Sequence, residues 1–179
     1  MLERMARREK VLLDQASSLA RHMSPKPIDL NVIHVITASA EDEVYPIEIG
    51  FVAGREREAS VVFSCIVCPP SSWNVQLKQI ADAGLSISIE AASAGIDPSL
   101  ATSTLRNLGG KGTIYVLSEV ERKALSRLPL EGVSIKTIHE EWPDLFPKDE
   151  NIVPPLGRGG PDAVWIYRTM RQMINGENK

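Results

Sequence analysis

Metal-binding and redox side chains are scarce in this chain. Its 179 residues include three His and two Cys. Cys65-Ile66-Val67-Cys68 is the one C-x-x-C, and no second Cys or His pair lies at zinc spacing, which excludes a zinc centre or a disulfide framework. Both cysteines end a strand-like run, where residues three apart face opposite sides, so two buried apolar thiols are expected. Aromatics are few, three each of Trp, Tyr and Phe, and core packing claims most of them. No apolar run approaches the ~20 residues of a membrane span. Met1-Leu2-Glu3-Arg4 leads into charge, so a cytoplasmic protein without a signal peptide is expected. Excess charge of one sign is also missing. Against 23 Asp and Glu stand 20 Lys and Arg, a net of −3. That argues against a general polyanion binder and leaves room for a local basic patch.

What remains is an ordinary globular balance, 43% hydrophobic and 24% charged, long enough for one real core. Residues 3–23 carry Met5, Leu12, Ala16, Leu19, Ala20 and Met23 at helical steps, with Arg4, Arg7, Arg8 and Lys10 at the start. Ser24-Pro25-Lys26-Pro27 ends this helix. The expected organisation is an N-terminal helix and linker over 1–30, one domain over 31–175, and a polar tail over 176–179.

Three strand-like runs follow: 31–39, 44–52 and 59–67. In the second, Ile47, Ile49 and Phe51 alternate with Glu48, Gly50 and Val52. The short turns between the runs favour an antiparallel meander. Helices are expected over 75–83, 87–94, 98–108, 118–128 and 162–174, with strands over 113–117 and 133–138. The proline- and glycine-rich stretch 143–161 reads as a long surface loop. The pattern predicts an α/β fold: a mixed five-stranded sheet, a three-strand meander gaining parallel strands, flanked by helices.

Tyr45-Pro46-Ile47-Glu48-Ile49-Gly50, then Pro69-Pro70, Trp73, Ala83-Gly84-Leu85-Ser86, the segment Gly95 to Tyr115, and Asp162-Ala163 resemble, in that order, the ribonuclease T and DNA polymerase III proofreading-subunit family of 3′–5′ exonucleases. The resemblance spans residues 31 to 172. It implies a ribonuclease H-like fold and hydrolysis by two magnesium ions held ~4 Å apart by carboxylates. It also implies acids at Val35 and Thr37 on the first strand, a third near Leu117-Ser118, a general-base histidine at Gly157, and a last acid at Asp162. Only Asp162 is acidic. One carboxylate cannot supply the charge that offsets desolvation of two magnesium ions.

The expected function is therefore a pseudo-exonuclease, with no cofactor, acting as a nucleic-acid-binding or protein-binding regulatory module. Trp73 and Arg158 are candidates for the nucleic-acid contact, by stacking and by charge. Residues 3–23 are a candidate surface for a protein partner or self-association, and no membrane contact is expected. The alternative is an active 3′–5′ exonuclease on single-stranded DNA or RNA, using magnesium or manganese on relocated acids: Glu41, Glu43, Glu48 and Asp162. A third option is a structural subunit that assembles through 3–23. Other features have plainer readings. His34, adjacent to Val35 and so pointing to the other face, reads as a satisfied core histidine. His139-Glu140-Glu141 reads as a surface helix start, and Trp142 as a core aromatic. Gly109-Gly110-Lys111-Gly112 precedes a strand and lacks the following Ser or Thr of a phosphate loop, so it reads as a helix cap and turn. The glycines around Arg158 read as a mobile, positive loop.

Overall fold

The computed structural model describes residues 29–40, 43–54, 59, 61–73, 87, 89–109, 112–146 and 153–176. Five strands form one sheet: β1 (Leu30–Ala40), β2 (Glu43–Gly54), β3 (Val61–Ile66), β4 (Thr113–Val116) and β5 (Ser134–Thr137). Their order is β3-β2-β1-β4-β5. β1 and β3 pair antiparallel to β2, while β4 pairs parallel to β1 and to β5. Five helices accompany them: α1 (Ile89–Ser93), α2 (Pro98–Gly109), α3 (Glu119–Leu125), α4 (Ile138–Glu141) and α5 (Gly159–Ile174). This is the mixed α/β sheet that the sequence pattern predicts. The expected helices over 3–23 and 75–83 lie outside the described residues.

β1 and β2 are covered on both faces, which is why their sequences are apolar almost throughout. On one face Ile33, Val35, Ile49 and Phe51 pack against Leu105 of α2 and Leu125 of α3. On the other, Leu30, Val32 and Val52 pack against Ala163, Ile166, Tyr167 and Met170 of α5. A register shift between Ile36 and Thr37 separates this core from a smaller cluster of Ile36, Ala38, Ile47, Ile87 and Ala92.

α5 starts at Gly159, three residues before the expected Asp162, and so corrects the reading of its glycines as loop. Gly159 and Gly160 are buried in its first turn against the sheet. A Cβ on Gly50 of β2 would stand 1.9 Å from the Gly159 carbonyl oxygen. One on Gly160 would stand 2.8 Å from Ser64 Cβ of β3. Helix and strand backbones touch here because neither carries a side chain. The same glycines that look like flexibility in the sequence bring α5 down onto β2.

Gly50→Ala sets a side chain against main chain that cannot turn aside. It is expected to lower unfolding free energy by about 3 kcal/mol or more, at the upper end of overpacking costs, read as a lower urea midpoint at unchanged slope.

Candidate functional site

β1 and β4 pair only at Asn31–Ile114 and Val32–Tyr115. Beyond this point the strands part, and main-chain N–H groups on either side of the gap need another acceptor. Glu121 supplies it. Its Oε1 accepts from Val35 N at 3.0 Å, and its Oε2 from Leu117 N at 2.7 Å and Ser118 N at 3.0 Å. Glu121 is the third residue of α3, and Ser118 is the N-cap. The pair forms a reciprocal capping box, with the Ser118 hydroxyl accepting from Glu121 N at 3.3 Å. One carboxylate therefore caps α3 and bridges β4 to β1, and it is 4% exposed.

The fourth donor to Glu121 is His34, whose Nδ1 lies 2.6 Å from Oε1. His34 Nε2 lies 3.9 Å from Asp162 Oδ2. The imidazole thus stands between two buried carboxylates, one on α3 and one on α5. Asp162 is fully buried, and its oxygens accept from the main-chain N–H groups of Leu156 at 3.0 Å and Arg158 at 2.9 Å. Glu48 of β2 is 1% exposed and accepts from Arg158 Nε at 2.9 Å. That hydrogen bond, and then the Glu48 charge, raise the Arg158 guanidinium above its ordinary value. Cys65 of β3 pairs with Ile49 and packs on the sheet face opposite α5. Burial, with the Glu48 charge added, pushes its thiol up to about 11.

Several expected site residues lie elsewhere. Val35 packs with Ile33, Ile49 and Phe51 on the sheet face opposite α5. The β1 side chain nearest Asp162 is His34, one position before Val35. Thr37 pairs with Pro46 beyond the register shift. The Leu117 side chain joins the cluster under α5, and only its N–H serves the site. Gly157 adopts a positive φ of 62° before α5, with open space around it. Glu43 is bound by the Tyr45 hydroxyl and by Arg127 at 2.7 Å, while Glu41 lies outside the described residues. Trp73 leans on Tyr45, centroids 5.3 Å apart, and Trp142 on Tyr115 at 4.7 Å. His139 Nδ1 is 2.5 Å from the Phe146 carbonyl oxygen. Glu121 escaped the sequence reading, although Ser118-x-x-Glu121 is a legible capping signature.

Two hard cations need carboxylate oxygens turned toward them. Within 3.0 Å Glu121 meets four donors, about the full capacity of its lone pairs. Both Asp162 oxygens receive main-chain N–H groups, and Glu48 is bound to a guanidinium. Among the described residues no group of three or more His, Cys, Asp or Glu is placed to hold a metal ion. These side chains do not fit a pair of magnesium ions.

Glu121→Gln turns an NH₂ toward main-chain donors. It is expected to cost about 2–4 kcal/mol of stability in urea unfolding, as loss of hydrogen bonds to a buried charge does. The exposed neighbour Glu119→Gln is expected to stay within about 0.5 kcal/mol. At pH 8 Cys65 is expected to alkylate with iodoacetamide about two orders of magnitude slower than an ordinary thiol of pKa ~8.5. Its rate should climb tenfold per pH unit until pH nears 11, because only the thiolate reacts.

Neither a protein-family model nor a curated protein sequence matches the chain. Solved structures do match by shape. A 3′-exonuclease in specific recognition of the histone mRNA stem-loop 3′ end superposes with a TM-score of 0.59 at 12% identity, covering 95% of this chain and 72% of that one. E. coli exonuclease I with a dT13 oligonucleotide gives 0.53 at 12% identity, covering 82% and 40%. Exonuclease I without ligand gives 0.53 at 11%, covering 83% and 42%. The chain thus spans about two-fifths of exonuclease I. At these identities the likeness is one of fold, and the fold is that of exonucleases.

Proposed function

We propose that this chain is an exonuclease-fold protein that has lost two-metal hydrolysis and serves as a binding or regulatory module. One observation carries the reading. Each of the buried carboxylates Glu121, Asp162 and Glu48 is already held by an internal donor: Glu121 by His34 and three main-chain N–H groups, Asp162 by two, and Glu48 by Arg158. Opening Glu121 or Asp162 to a metal ion would leave main-chain donors buried without an acceptor.

A nucleic-acid end is the partner suggested by the structural neighbours, one of which recognises an RNA 3′ end and another of which holds an oligonucleotide. Trp73 is only partly buried on Tyr45, which leaves ring surface for a base. Arg158 is half-exposed at the N-cap of α5 and offers positive charge, with its Nε committed to Glu48. A protein partner, or a second copy engaged through residues 3–23, is the other form of the same proposal.

The purified chain should leave 3′-labelled single-stranded DNA and RNA intact in magnesium and in manganese. Digestion that vanishes in Asp162→Ala would establish instead an active exonuclease with relocated ligands. In a binding titration, log K for single-stranded nucleic acid should fall with log salt by ~0.7 per phosphate contacted. A flat line would assign the module to a protein partner, and deleting residues 1–24 should then reduce partner binding or the mass in solution.

A further inference from the structure

The contact between Glu48 and Arg158 is lopsided. The Glu48 side chain is 1% exposed and that of Arg158 44% exposed, so the carboxylate lies inside and the guanidinium meets water. A guanidinium carries five N–H donors in a planar fork. The one on Nε goes to Glu48 Oε2 at 2.9 Å, and among the described residues those on the Nη groups meet no acceptor.

Helix formation does not account for an arginine here. Arg158 is the N-cap of α5 and makes no side-chain capping bond, at a position that favours Ser, Thr, Asp and Asn. What the fold does is hold it still. Its main-chain N–H donates to Asp162 Oδ2 at 2.9 Å. Its Nε is held by Glu48, whose own stem is confined by α5, since a Cβ on Gly159 would stand 3.0 Å from Glu48 Cγ. The planar group cannot turn without breaking a hydrogen bond to a buried carboxylate. A surface arginine ordinarily keeps its rotamer freedom and loses it on binding. At Arg158 that ordering is made in advance, and the edge of the fork away from Nε is left for a second partner.

Two parallel N–H groups on such an edge match an oxyanion with two oxygens to offer, a phosphate above all. The start of the 16-residue helix α5 favours an anion at the same place. Glu48 and Asp162 oppose it, but both are buried and met from within, so the outermost charge is positive. We propose that Glu48 is a positioning residue, which fixes the Arg158 guanidinium so that its outer edge takes a phosphate of a single-stranded nucleic acid. The inference rests on the reading that a nucleic-acid strand is the partner.

The readout is the affinity of the full chain for a fluorescein-labelled single-stranded oligodeoxynucleotide, in EDTA and at a series of salt concentrations. Each variant is first checked for a cooperative melting transition. Glu48→Met keeps the volume and removes both the acceptor and a negative charge. Charge alone predicts tighter binding of a polyanion when an acid is lost. Positioning predicts the opposite, about threefold or more weaker, the cost of ordering one long side chain on binding. Glu48→Gln keeps an oxygen for Nε and should bind at least as well as the parent. Arg158→Ala should bind about tenfold more weakly, with a salt slope smaller by ~0.7, one phosphate contact. Should Arg158→Ala fail to fold, Arg158→Gln combined with Glu48→Gln removes the guanidinium without leaving a lone charge, and the same loss is expected of it. Glu48→Ala stands in for a Glu48→Met that does not fold, and failure of both to fold makes Glu48 a purely structural residue and overturns the proposal. So does a folded Glu48→Met that binds as tightly as the parent or tighter, or loss of the guanidinium with the parent's slope unchanged. An unaltered chain that binds no strand at low salt sinks the nucleic-acid reading and this inference with it. A chain that binds, with variants that do not respond, sinks this inference alone.

Discussion

Where β1 and β4 separate, the N–H groups of Val35, Leu117 and Ser118 turn to one acceptor, the Glu121 carboxylate. A sheet that splits between parallel strands exposes polar main chain inside the protein, and such groups must be paired. In open α/β sheets the crevice at strand ends is also where ligands settle. This chain fills its crevice from within. Because the filling group is charged, it calls for a positive or donating neighbour, and His34 answers from β1.

The remaining polar contacts follow as a relay across the sheet. His34 reaches from Glu121 toward Asp162, Asp162 gathers the main chain that leads into α5, and Arg158 carries the link on to Glu48. The relay is possible only because α5 lies directly on β2, with Gly50 against Gly159 and no side chain between them. Polar satisfaction and backbone packing therefore depend on each other. The apolar clusters on the two faces set the layers, while the buried charges fix how α5 and α3 sit on them.

Much of this was legible in the sequence. Alternation in β2 placed Glu48, Gly50 and Val52 on one face, and the strands and most helices follow their periodic patterns closely. Asp162 was singled out, and it does sit at the centre of the relay. The β1 register was not legible. Ile33 to Thr37 is apolar or neutral on both faces except at His34, so alternation cannot say which set faces α5. Glu121 was missed because its partners are main-chain N–H groups, which carry no sequence mark, even though its capping box does. The start of α5 was missed because Gly-Gly-Pro reads as loop; burial against Gly50 overrides propensity there.

The Arg158–Glu48 contact joins residues 110 apart in sequence, and Arg171 reaches the Gly54 carbonyl across 117. The β1–β2 hairpin, by contrast, closes over a few residues. During synthesis the hairpin can form while Glu48 and His34 still face water, and the helix that seals them emerges after both. Contacts of such long range are the ones a folding chain makes late. Until residues 153–176 arrive, Glu48 lacks the guanidinium that meets it in the finished protein.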